Sequence, residues 1–195
     1  MMLSAKQDRA RGFSLTELLI TLSIVGVASA IGFPMLTQFA EDGAVSTQSD
    51  LVLNALNYTR SEATKRGKRV TMCRSDNGTS CQTLAPGDWR IGWIVFVDDN
   101  IGGAIGTVDT GETVLVAQSA FSGRGQAKAT GNVIHYVSYT STGQPRFQEA
   151  VSHVGEFYLC GKTVTTKRRK IALTAGTGYV GAAIVAPSSN CVDPS

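Results

Sequence analysis

Gly12-Phe13-Ser14-Leu15-Thr16-Glu17-Leu18-Leu19-Ile20-Thr21-Leu22-Ser23-Ile24-Val25 is the stretch that decides how the rest of this chain is read. From Phe13 to Phe33 there are 21 residues with Glu17 as the only ionisable side chain, about enough to span a bilayer core. A carboxylate at membrane depth costs roughly 2.5–3.5 kcal/mol on insertion scales, so an acid retained there is a functional residue by default. Upstream, Lys6, Arg9 and Arg11 stand against a single acid, Asp8. That cation excess predicts a cytoplasmic leader and a helix running from cytoplasm to periplasm. An ordinary secretory signal places its apolar region before the cleavage site. Here the apolar run follows Gly12, so a cut after this glycine leaves the helix on the mature chain.

Beyond Gly32 and Phe33, Pro34 interrupts an otherwise helical pattern and predicts a kink or local melting. Further on, Val45, Ser49, Val52, Leu56, Thr59 and Ala63 recur at steps of three and four, while Asp50, Asn54, Asn57 and Arg60 fall on other faces. This is one apolar-to-small face of an amphipathic helix. Cations gather at Lys65 and Arg66, and Gly67 follows as a C-terminal cap. A helix over 13–66 is roughly 80 Å long at 1.5 Å per residue. A 20.6 kDa chain cannot bury so long a helix in its own core, so half of it needs lipid or other subunits.

From Lys68 the pattern changes to short β-like runs separated by Gly, Asn, Asp and Thr. The expected strands are 69–73, 92–98, 112–117, 133–139, 156–159, 170–173 and 180–185. Roughly 130 residues support one modest core, which predicts a single antiparallel β domain packed on the amphipathic half of the helix. The fold class is α+β. Trp89, Trp93 and Phe96 suit a half-buried sheet as core residues. The domain plan is a leader (1–12), a membrane helix (13–33), an amphipathic helix (34–67) and a β-rich domain (68–195).

All four cysteines, Cys73, Cys81, Cys160 and Cys191, lie in this last domain. A periplasmic location favours disulfides, and four thiols allow three pairings. Cys73 and Cys81 flank the turn-rich Ser75-Asp76-Asn77-Gly78-Thr79, which favours pairing them with each other and leaves Cys160 with Cys191. No CxxC occurs, and His135 and His153 are isolated strand or loop residues, so no metal or other cofactor is expected. Asp98-Asp99-Asn100 reads as a solvated turn rather than a calcium loop. No nucleophile with a base and no convergent carboxylate pair is visible, which points away from an enzyme.

The N-terminus resembles that of type IV pilins and of the pseudopilins of type II secretion. A second stretch narrows the resemblance. Cys73 to Cys81, followed by Asp88-Trp89-Arg90-Ile91-Gly92-Trp93-Ile94-Val95-Phe96-Val97-Asp98, is similar to the GspH/FimT branch of that superfamily. The resemblance implies a prepilin peptidase that cuts between Gly12 and Phe13, with N-methylation of Phe13. It implies that Glu17 pairs with the free amine of Phe13 on a neighbouring subunit, and that Pro34 is the proline such helices carry. The implied partners are prepilin peptidase, other minor and major pilins or pseudopilins, and inner-membrane lipid. The implied role is a minor pilin of the FimT/FimU type, held in the inner membrane by one span and then assembled into a pilus. The alternatives are a type II secretion minor pseudopilin H, or a DNA-uptake minor pilin.

Lys162 and the run Lys167-Arg168-Arg169-Lys170 are the candidate DNA contacts, with Arg124 and Lys128 elsewhere. The Gly-Arg-x-Arg motif of the DNA-uptake members would fall at Gly178-Tyr179-Val180-Gly181, where both arginines are absent. Without the leader the chain holds 15 basic and 14 acidic residues, a net charge of +1, far from the balance of a strongly basic DNA binder.

Overall fold

The computed structural model describes residues 12–84, 87–99, 102–122, 125–148, 151–162, 167–176, 178, 180–187 and 190–192, without the side chains of Ile31, Pro34 and Met35. Lys6, Arg9 and Arg11, read above as leader cations, and also Asn100, Arg124 and Tyr179, lie outside the described residues. The chain divides into two units, Met1–Phe39 and Ala40–Ser195. A single helix, α1 (Leu15–Arg66), contributes to both.

In the first unit Ser14 precedes the helix and its Oγ accepts the Glu17 N–H at 3.3 Å. This places Glu17 in the first turn, where an acid complements the helix dipole. The hydroxyls of Thr21, Ser23 and Ser29 donate back to the carbonyls of Leu18, Leu19 and Val25, so they need no outside partner. Helical backbone continues across position 34, where the sequence predicts a kink or local melting, so the helix does not melt there. One missing N–H removes a single bond from a long ladder, and the turns on either side hold the helix together. Among the described residues no helix is long and apolar enough to cross a membrane.

The second unit contains the remaining helical turns and two antiparallel sheets. The first sheet has the order β3 (Val114–Ser119), β2 (Gly92–Val97), β1 (Val70–Arg74) and β5 (Tyr136–Tyr139). The second has the order β4 (Gln126–Ala129), β6 (Gly155–Cys160), β7 (Arg168–Leu173) and β8 (Val180–Val185). The helix ends where the Lys68 N–H reaches back to the Ala63 carbonyl at 3.3 Å across Gly67 at φ 65°, a Schellman closure.

The helix stripe Val45, Ser49, Val52, Leu56, Thr59 and Ala63 is buried throughout. It shares one core with Val70, Met72, Trp93, Val95 and Val137 from the first sheet and Phe157, Leu159, Ile171 and Leu173 from the second. Each large apolar side chain buried there contributes roughly 1.5–3 kcal/mol. Strand β2 is buried on both faces: Ile94 and Phe96 point away from the helix, against Cys73 and under Val108, Val114 and Tyr136. The Trp89 indole meets Phe157 edge-on at 5.1 Å and donates its N–H to the Val133 carbonyl at 3.1 Å. The two tryptophans are core residues.

Two expectations change. Within the β region, β4 has no counterpart among the expected strands. Its Gln-Ala-Lys-Ala sequence carries no β-branched or aromatic signal. It is strand because β6 pairs with it and because the Trp89 N–H donates to the Ala127 carbonyl at 2.8 Å. In addition, the expected strand over 133–139 divides into a 3-10 turn, Gly131–Val133, and β5.

Candidate functional site

Phe13 is 79% exposed and Glu17 stands in the first turn of α1, also exposed. Gly12 lies in irregular backbone before the helix, and the Pro34 side chain is outside the described residues. Around Glu17, the exposed faces of the first unit carry Leu18, Leu19, Ile20, Leu22 and Ile24 on all sides of the helix. A helix apolar all round is suited to burial among lipids or other helices.

In the β region Cys73 is bonded to Cys81 and Cys160 to Cys191. Each bond organises a buried arginine. Beside the first, the Arg74 guanidinium donates to the carbonyls of Asp88 at 2.9 Å, Ile134 at 3.4 Å and Leu84. Burial lowers its pKa, with the nearby Asp88 acting in the opposite direction. Beside the second, Arg168 donates to the carbonyls of Ala186 at 2.8 Å, Asn190 at 3.3 Å and Cys191 at 3.1 Å, and lies over the Tyr158 ring at 5.9 Å. Arg168 thus holds the C-terminal tail against β6 and β7.

The cations read as possible DNA contacts differ in burial and partners. The C-terminal tail buries Arg168, alternation along β7 turns Arg169 to the opposite face, and Lys170 pairs with Glu156 at 2.9 Å. Lys162 and Lys167 are exposed, and the Lys167 backbone N–H is bound to the Asp42 carboxylate at 3.1 Å. Lys128 stands 3.5 Å from Asp88. Of these cations, Arg168 is thus buried, Lys128 and Lys170 stand beside carboxylates, and Lys162 and Lys167 are exposed.

Asp98 departs from the reading of a solvated turn. It is buried, and one carboxylate oxygen accepts the Thr71 hydroxyl at 2.6 Å and the Gly106 N–H at 2.9 Å. Burial raises its pKa, and the two donors only partly oppose the shift. The loop comes this close because Gly106, at φ 85°, lies on the Tyr136 ring, where a Cβ would approach within 2.5 Å. Asp99 remains at the surface, paired with Lys68 at 2.5 Å.

His153 is fully buried, edge-on to Tyr136 at 5.3 Å and Phe147 at 5.5 Å, and neither ring nitrogen has a well-formed hydrogen bond. Burial pushes its pKa down to about 3, which the nearby Asn132 carbonyl offsets only in part. No group of three or more His, Cys, Asp or Glu among the described residues could hold a metal ion. Sequence reasoning missed Arg74, Arg168, Asp98 and His153 as buried polar groups. An isolated charged letter carries no signal for the carbonyls or hydroxyls that receive it.

An N-terminal helix with a first-turn acid, whose later turns pack on antiparallel sheets, defines a pilin-like α+β protein. Residues 37–177 match the family model described as Type II transport protein GspH, and residues 7–33 match the Prokaryotic N-terminal methylation motif. The chain belongs to the GspH family. Among solved structures it is similar to the type IV minor pilin FimU of Pseudomonas aeruginosa, strain PAO1. In one crystal form the TM-score is 0.53 at 16% identity, covering 73% of this chain and 90% of FimU. In a second form the values are 0.47 and 17%, covering 72% and 90%. At this identity the likeness is one of fold. No curated protein matches the chain.

Proposed function

We propose that this protein is a minor pilin, a structural subunit cut by a prepilin peptidase between Gly12 and Phe13 and built into a type IV pilus. The observation that carries the reading is Glu17, the only ionisable side chain between Phe13 and Phe33, inside a segment matching the N-terminal methylation motif. The membrane role rests on the full sequence of that segment, Ile31 included. In the fibre, the Glu17 carboxylate of one subunit would meet the methylated amine of Phe13 on its neighbour, satisfying two polar groups inside an apolar bundle. The β region would stand in the periplasm before assembly and present partner surfaces afterwards, consistent with its two disulfides.

The family match, described as a type II transport protein, favours a second reading as minor pseudopilin H of a secretion system. Both readings use the same assembly chemistry in different machines. A chromosomal deletion assayed for twitching and for protein secretion separates them: loss of twitching with secretion intact supports the pilus, and the reverse result rejects it. In the same strain Gly12→Phe is expected to leave the leader attached, seen as an unprocessed band. Normal processing of that variant would overturn the assignment of the leader.

A further inference from the structure

The loop closed by Cys73–Cys81 carries Asn77-Gly78 near its tip, with Asn77 exposed. Its hydrogen bonding is unusually complete. The Asn77 carboxamide oxygen accepts the Ser75 hydroxyl at 3.1 Å, the Thr79 N–H at 2.9 Å and the Ser80 N–H at 3.0 Å. Its nitrogen donates to the Ser80 hydroxyl at 2.7 Å. The next backbone N–H, that of Gly78, donates to the Ser75 hydroxyl oxygen at 3.0 Å. Two of the donors to the carboxamide oxygen are backbone N–H groups, so the orientation of the amide is dictated by chemistry: a flipped NH2 would face both of them.

We propose that Asn77-Gly78 is a self-modification site, at which the folded loop promotes cyclisation of Asn77 to a succinimide and hydrolysis to aspartate or isoaspartate. The Gly78 nitrogen attacks the Asn77 side-chain carbonyl carbon and forms the new C–N bond. Its proton passes to Ser75 Oγ while the Ser75 hydroxyl proton moves to the former carbonyl oxygen. The Thr79 and Ser80 N–H groups stabilise the charge that develops on that oxygen, as an oxyanion hole does. Collapse of the tetrahedral centre breaks the bond to the carboxamide nitrogen. That nitrogen leaves as ammonia, taking the added proton by way of the Ser80 hydroxyl. Water then adds to either ring carbonyl. The net change consumes one water and releases one ammonia, with no redox step.

Three features of the loop place the reacting groups. Gly78 carries no side chain to shield its nitrogen, and its φ of 74° lies in the left-handed region that glycine tolerates. Ser75, held at 1% exposure, touches both the attacking N–H and the oxygen of the carbonyl under attack. The disulfide keeps the two ends of the loop together, so the geometry is set before reaction. The product places a new carboxylate beside Asp76, and the isoaspartate form also lengthens the main chain by one methylene. The modification is one-way and marks the age of the subunit at an exposed position.

The test incubates the full chain in detergent at mildly alkaline pH and follows Asn77 by peptide mapping, which reads the mass change and resolves aspartate from isoaspartate. The comparison is the same chain reduced and unfolded in urea. Conversion is expected to be faster in the folded chain. Ser75→Ala is expected to slow it about tenfold, equivalent to ~1.4 kcal/mol in barrier, while Ser75→Thr retains the rate. Equal or slower conversion in the folded chain would show that the loop protects Asn77 and would overturn the proposal. So would acceleration by Ser75→Ala. If Ser75→Ala fails to fold, the folded-against-unfolded comparison and Ser75→Thr still decide the question.

Discussion

Asp98 shows how much a single buried carboxyl group does in this molecule. It receives two donors, the Thr71 hydroxyl from β1 and the Gly106 N–H from the loop over β2. Asp98→Ala leaves both buried donors unpaired and is expected to cost about 2–6 kcal/mol in urea unfolding, at roughly 1–3 kcal/mol per orphaned group. Asp98→Asn can keep a carbonyl oxygen in the accepting position and is expected to lose much less. The pH dependence has a definite sign. Because the folded-state pKa is raised, the protonated form is favoured by folding. The wild-type advantage over Asp98→Asn is therefore present below the unfolded carboxylate range and declines as pH rises through the folded value. Unfolding midpoints of the two proteins against pH check this, and a gap that widens with rising pH would contradict it. His153 acts in the opposite direction. A buried imidazole held at a pKa of about 3, against an ordinary value of 6.5, contributes stability that is full above 6.5 and lost as pH falls toward 3. Expected loss over that window is a few kcal/mol. His153→Phe, compared by the same unfolding series, should flatten the acid limb.

At the scale of elements, the helix stripe was the most legible part of the chain and β4 the least. Val45, Ser49, Val52, Leu56, Thr59 and Ala63 could be read because a helix repeats every 3.6 residues, so a buried face writes a period into the sequence. Leu56→Ala should cost about 2–5 kcal/mol in thermal or urea unfolding, since Leu56 is fully enclosed by that core. Asn57→Ala, one residue on and exposed, should change stability by no more than about 0.5 kcal/mol. Near-equal effects would mean that the stripe is not the packed face. Strand β4 has no such period. Four residues of small and polar type become strand only because β6 and the Trp89 backbone accept them as a partner. The run Lys167 to Lys170 is four consecutive basic letters in the sequence, but the fold gives them different surroundings: Arg168 is buried under the C-terminal tail, Lys170 pairs with Glu156, and Lys167 is exposed.

For the whole molecule, the two units answer to different surroundings. The first exposes large apolar side chains all around its helix, while the second closes its own core between sheets and helix face. Under the proposed function, the acid in the first unit governs assembly and the second governs partner contacts. Glu17→Ala is accordingly expected to be processed normally yet to enter fibres poorly, measured as the ratio of subunit in sheared filaments to subunit in membranes. Incorporation at the wild-type level would remove Glu17 from its assigned role. The sequence by itself determined the apolar segment with its lone acid, the amphipathic helix, the α+β class and the family resemblance. These are local in the chain, and periodicity or a short motif records them. Only the tertiary structure decided that the β region is two sheets and not one, which cysteines meet, and that Arg74, Asp98, His153 and Arg168 are interior groups. Those outcomes depend on which segments the fold brings together, where hydrogen-bond partners and burial are supplied by tertiary contacts and leave no period to read.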